Sequence, residues 1–157
     1  MALEAVFRIA NFGAVVGWVV LLAAALFGWD RGRDLVAGTI VPLLLAGAYV
    51  VVLGGHWGAL QGNYASLAGV VALFRQPAAA LAGWMHYLAF DMLVGVMLAR
   101  RMMEEGVPKL LRLVVLPLTF FFGPAGFLLY HAVHLARRNI SPPERKRPEA
   151  TPRRGKG

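Results

Sequence analysis

The chain has 157 residues, 59% hydrophobic and 15% charged, with no cysteine and a formal net charge of +8. Its length sets one domain, the missing thiols exclude disulfides and cysteine-held iron–sulfur or c-type haem groups, and a mean hydropathy of +0.62 lies well above that of soluble domains. The positive balance does not point to nucleic acid. Half of the Lys and Arg residues lie from Arg137 onward in a Pro-rich polar stretch, read as a disordered basic tail over 137–157 that stays cytoplasmic beside lipid headgroups.

The remainder, 1–136, reads as an all-α, polytopic integral membrane domain of four transmembrane helices plus a short interfacial or re-entrant helix. The first apolar run, 7–29, is broken only by Arg8 and Asn11 and ends on the interfacial Trp29. It exceeds the roughly 7–15 apolar residues of a cleaved signal and is long enough to span. Its Gly13-x-x-x-Gly17 fits close helix packing. A charged turn, Asp30 to Asp34, leads to the second run, 35–53, where Pro42 predicts a kink. Over 66–75 a short apolar helix with Ser66 as N-cap is too brief to cross. The third run, 77–99, opens on Pro77, a favoured first-turn residue, and closes on Arg100 and Arg101. In the fourth, 113–136, Pro117 and Gly123-Pro124 predict a kink or break near the midplane, with Thr119 placed to satisfy freed carbonyls.

Four crossings put both termini on one side. That side carries Arg8, Arg75 and the tail cations, which the positive-inside rule assigns to the cytoplasm. Only about six residues precede the first span, so the chain reads as a bacterial inner-membrane protein without a transit peptide.

Polar groups inside apolar spans are costly and mark candidate sites. Counting helical rise from the terminal face places His86 about 14 Å deep, Asp91 about 21 Å, and Tyr130 and His131 about 8–9 Å. Asn11 and the segment carrying His56, Gln61, Asn63 and Tyr64 belong to the same half. On the third helix, His86, Tyr87 and Asp91 fall within an arc of about 140°, Tyr87 and Asp91 being spaced i, i+4. Leu81, Met85, Leu88, Met92, Val96 and Ala99 take the opposing arc and suit lipid. One shared cavity is the expectation. The structural alternative is that Asp91 and His86 only tie helices together, that His131 and His134 are interfacial, and that His56 is a loop residue.

The series Ser66-Leu67-x-Gly69-Val70, Gly83-Trp84-x-His86-Tyr87-Leu88-Ala89-Phe90-Asp91-x-x-x-Gly95, Gly106-Val107-Pro108 and Leu116-Pro117-Leu118-Thr119-Phe120-x-Phe122-Gly123-Pro124-x-Gly126 through Tyr130 resembles the abscisic-acid-deficiency-four-like family. These are small polytopic membrane proteins of plastids and bacteria. The resemblance implies four spans and isoprenoid or carotenoid chemistry, the plant member being implicated in opening a violaxanthin epoxide towards neoxanthin. Where that family carries Gly-Arg after the Asp motif, this chain has Gly95-Val96.

Three functions follow as expectations. In the first, an intramembrane cavity binds or isomerises a carotenoid-type ligand. Asp91 serves as acid, His86 as base and Tyr87 as orienting group, with Trp84, Phe90, Asn11, His56, Asn63, Phe120, Tyr130 and His131 lining it. The second is a b-type haem protein, with two of His56, His86, His131 and His134 as axial ligands. The third is a non-catalytic assembly subunit. No metal cluster is expected; lipid is the surrounding partner, and a transporter or channel is disfavoured because there is no internal repeat and four spans make a pore only as an oligomer.

Overall fold

In the computed structural model, which describes residues 2–140, every regular element is helical. Ala2–Phe27, Gly32–Ala59, Pro77–Glu104 and Lys109–Arg137 are long and apolar enough to cross a membrane. The expected all-helical membrane architecture is therefore present. We label the helices α1 (Ala2–Phe27), α2 (Val41–His56), α3 (Leu67–Phe74), α4 (Pro77–Glu104) and α5 (Lys109–Ile140). The tail beyond 140, expected to be disordered, lies outside the described residues.

A π-helical stretch, Gly32–Ile40, runs straight into α2. At its end the Val41 N–H reaches back five residues to the Val36 carbonyl, and Thr39 Oγ1 likewise donates to the Asp34 carbonyl at 2.8 Å. The widened register hands over to α-helix next to Pro42, which has no N–H to donate. Pro42 thus sits in the first turn of α2 rather than kinking a uniform span. Nearby, Arg33 is 8% exposed and pairs with Asp30 and Asp34, both at 2.8 Å, while Arg100 reaches Asp34 at 2.9 Å. This cluster fastens the start of the second span to the end of α4.

The core forms where α4 packs on α1, α2 and α5. Its buried face holds Leu81, Met85, Leu88, Met92, Val96 and Ala99, none more than 8% exposed. These residues were expected to face lipid, and the assignment is reversed. Acyl chains are as apolar as leucine, so polarity does not mark the packed side of a membrane helix; small and adaptable residues do. A Cβ on Gly95 would come within 2.5 Å of the Trp18 ring, and one on Gly17 within 2.8 Å of Met92 Cε. Gly13 meets nothing within 4 Å, so only one end of the Gly13-x-x-x-Gly17 pair serves packing.

The fourth span departs most from expectation. Its backbone leaves helical geometry at Phe122 (φ −141, ψ 47), and Tyr130 Oη donates to Glu105 Oε1 at 2.7 Å. A straight helix from Lys109 would carry Tyr130 about 32 Å away, far beyond reach of a residue four positions before Lys109. Instead α5 folds back, its first arm (109–121) entering the bundle and its second (123–140) returning. Gly126 makes this possible, since a Cβ there would strike Thr119 Oγ1 and the Thr119 backbone. Thr119 is fully buried and donates to the Val115 carbonyl at 2.8 Å, four residues back, not to the carbonyl that Pro117 frees.

Two expectations change as a result. Tyr130 and His131 lie at the far face, where α4 ends, and not near the face where α1 starts. The described ends of the bundle also fall on opposite faces, because a hairpin returns to the side it left.

Candidate functional site

Around α4 the polar residues divide between two surfaces. Trp84, Tyr87 and Asp91 turn towards α1 and α5, whereas His86 and Phe90 turn towards α2 and the outside. His86 stacks on Phe90 with ring centroids 4.5 Å apart and meets Tyr49 at 5.9 Å. His86 and Asp91 therefore do not share a cavity, and the acid–base pair expected of them is not assembled. Five residues of helix separate them by about 140°, enough to place them in different inter-helix grooves.

The first surface is built on the break in α5. Tyr87 Oη lies 3.4 Å from the Phe120 carbonyl and 3.3 Å from that of Phe121, the last acceptors of the first arm, whose own amide partners are lost at the bend. Asp91 fills the space a side chain at position 123 would need: a Cβ on Gly123 would fall 2.5 Å from Oδ1 and 2.9 Å from Oδ2. Asp91 Oδ2 is buried without a hydrogen-bond partner among the described residues. Half-helix ends at membrane depth concentrate partial charge that polar ligand groups can meet.

Next to this break, Trp84 Nε1 donates to Asn11 Oδ1 at 2.9 Å, and Asn11 Nδ2 donates to the Phe7 carbonyl at 2.9 Å. Trp84 stacks on Tyr87 with centroids 5.3 Å apart. Asn11, Val15, Trp84, Tyr87, Phe120 and Phe121 thereby bound a cavity of about 180 Å³. Val15 and Phe120 also line an apolar groove of about 190 Å³ that extends along Trp18, Leu22, Leu116 and Pro117. The two adjoin at Val15 and Phe120 between α1 and the first arm of α5, one wholly apolar and the other carrying Asn11, Trp84 and Tyr87.

The other sequence candidates lie elsewhere. The His56 ring is 2.8 Å from the Val52 carbonyl of its own helix. Asn63 organises the turn before α3, accepting from the Ala65 N–H at 3.0 Å and packing its amide against Gly69, while Ser66 caps Gly69 as expected. The His131 ring packs at a tilt on Phe127 and lies 2.9 Å from that residue's carbonyl. His86 and His131 occupy opposite halves of the bundle, so they do not form the axial pair that a haem requires.

At the far face stands a group that sequence reasoning passed over. Glu105, in the turn between α4 and α5, accepts from Tyr130 Oη at 2.7 Å and meets His134 Nδ1 at 2.9 Å. Burial raises its pKa, but hydrogen bonds from His134 and Tyr130, with the charge of Arg101, outweigh this and hold the carboxyl below its ordinary value. Arg112 caps α1 across the same face, donating to the Ala25 and Val107 carbonyls at 2.8 Å. Only the unusual acidic pair before Gly106 hinted at Glu105.

A family description, ABA DEFICIENT 4-like, matches residues 5–130. The chain belongs to the ABA4-like family. That match covers α1 through the start of the returning arm, including Trp84, Tyr87, Asp91 and the break at Phe122. No curated protein and no solved structure matches the chain.

Proposed function

We propose that this ABA4-like membrane protein binds an elongated isoprenoid of the carotenoid class in the groove between α1 and the first arm of α5. The ring end would sit against Tyr87 and Asp91. The observation that carries this reading is the polar end of an apolar groove, lined by Asn11, Trp84 and Tyr87, with Asp91 one turn beyond Tyr87 keeping Oδ2 buried and without a partner among the described residues. A groove open to lipid admits a long polyene without enclosing it. Trp84, Phe120 and Phe121 offer flat surfaces to conjugated carbon, and the Asp91 carboxyl and Tyr87 hydroxyl are suited to a hydroxyl or epoxide oxygen.

The chemistry implied is isomerisation or epoxide opening, with Asp91 as the group that gives and retakes a proton. His86 takes no part, because it faces another groove. The test is extraction of protein purified from its native membrane, followed by mass spectrometry of the organic phase. A stoichiometric isoprenoid, lost in Trp84→Ala and bound but unconverted in Asp91→Asn, is expected. An empty extract, together with an unchanged isoprenoid profile on deletion, refutes the reading. The Tyr87 contacts with the bend favour a second reading, in which Tyr87 and Asp91 only lock the hairpin; Asp91→Asn then lowers stability and alters no metabolite.

A further inference from the structure

The second polar surface of α4 is a site of its own. Of the four histidines, the rings of His56, His131 and His134 each meet a partner within the chain, and of the four tyrosines Tyr87 and Tyr130 do. The three that meet none among the described residues are Tyr49, Tyr64 and His86. All three line one cavity of about 270 Å³ between α2, α3 and α4. Tyr49 and His86 lie within span-length helices, where a polar group without a partner is costly, and Tyr64 stands in the connecting loop at the edge of the same cavity.

The enclosure is constructed. Phe74 of α3 lies over Gly83 of α4, where a Cβ would strike its ring. The loop before α3 packs by Gly62 (φ +111) on the Gly69 carbonyl and the Leu73 N–H. Gln76 then clamps the loop to the start of α4, accepting from the Gln61 N–H at 3.1 Å and donating to the Gln61 carbonyl at 2.6 Å. Tyr64 stands at the mouth, 76% exposed, while half-buried Tyr49 and exposed His86 line the cavity about 13 Å further along by helical rise.

We infer that this cavity binds the head group of a lipid quinone: a planar conjugated ring bearing carbonyl oxygens on an apolar tail. Two phenol O–H groups and an imidazole N–H can each donate, which matches a ligand that presents carbonyl acceptors. The walls carry aromatic rings (Tyr49, Tyr64, Phe74 and His86), which suit a flat π-system. Pockets for drug-sized ligands run from about 300 Å³ upward, so this one accepts a single ring and leaves the tail in lipid. The site is independent of the α1–α5 groove and of any chemistry at Asp91.

The experiment uses the full chain in phosphatidylcholine nanodiscs with a decyl-benzoquinone carrying an aryl azide. On illumination, label is expected in the peptides holding Tyr49, Tyr64–Phe74 and His86, and is competed by unmodified decyl-benzoquinone. Tyr49→Phe and Tyr64→Phe each remove one hydrogen bond and weaken binding about five- to tenfold. Tyr64→Phe alters an exposed side chain and leaves folding intact, and Asp91→Asn leaves quinone affinity unchanged. Equal binding of a decyl-cyclohexanol overturns the assignment of ligand class. Label spread over lipid-facing residues such as Ile9 and Val51, or insensitive to both tyrosine substitutions, overturns the site.

Discussion

The fold-back of α5 gives the sharpest test, because a straight helix and a hairpin put the same residues on opposite sides of the bilayer. With cysteines at Glu105 and His134 the side chains take the place of groups now 2.9 Å apart. In a straight α5, His134 would lie about 38 Å from Lys109, and four extended residues bring Glu105 at most about 14 Å closer. A gap of roughly 24 Å would remain, too wide for a short bifunctional maleimide. The chain has no native cysteine, so only the introduced pair reacts. The hairpin predicts efficient intramolecular cross-linking of Glu105→Cys/His134→Cys in membranes, seen as a mobility shift, and none for Ala65→Cys/His134→Cys. The reverse pattern would refute the fold-back.

Other predictions concern the elements that hold the hairpin. Tyr130→Phe removes a bond to a charged acceptor and should cost about 1.5–3 kcal/mol, lowering Tm in detergent by about 2–4 °C per kcal/mol. Because Glu105 titrates below its ordinary value when folded, its contribution is complete above pH 4.5 and is lost as pH falls through the folded pKa. A Tm profile against pH should decline below 4.5 in the native chain and less steeply in Glu105→Gln, where the Asp34 pairs with Arg33 and Arg100 still titrate. Gly126→Ala forces a Cβ into Thr119 and should destabilise by about 1–3 kcal/mol or more, measurable by thermal unfolding. Ala65→Cys should react with impermeant maleimide from outside the cell and Glu104→Cys only after permeabilisation. With α5 folded back, Arg31, Arg33, Arg100, Arg101, Lys109 and Arg112 share a face with Arg137, leaving Arg8 and Arg75 opposite, and the positive-inside rule selects the richer face as cytoplasmic.

The helices were legible because length and hydropathy alone define a span, and Ser66 and Pro77 marked true helix starts. Gly123-Pro124 announced a break. It did not say where the chain goes next, since periodicity is the same for an arm that continues and one that returns; the decision rests on Glu105 meeting Tyr130 and on Gly126 admitting Thr119. The i, i+4 spacing of Tyr87 and Asp91 puts both on the side of α4 that meets the bend, Tyr87 at the Phe121 carbonyl and Asp91 at Gly123. His86 was joined to them because an arc of 140° passed for one face, and the wheel was inverted because methionine and alanine look lipid-like while serving as packing surface.

The bend at Phe122 also makes the basic tail a determinant of topology. The stretch Lys109–Arg137 is apolar enough to cross as a single rod, so one segment is compatible with two insertions. If the face that carries Arg137 is the cytoplasmic one, straightening would export the eight cationic residues from Arg137 onward, against a membrane potential that opposes each by about 2.3 kcal/mol per 100 mV. In that orientation the tail's charge would hold the nascent helix from threading through and leave folding back as the outcome open to it.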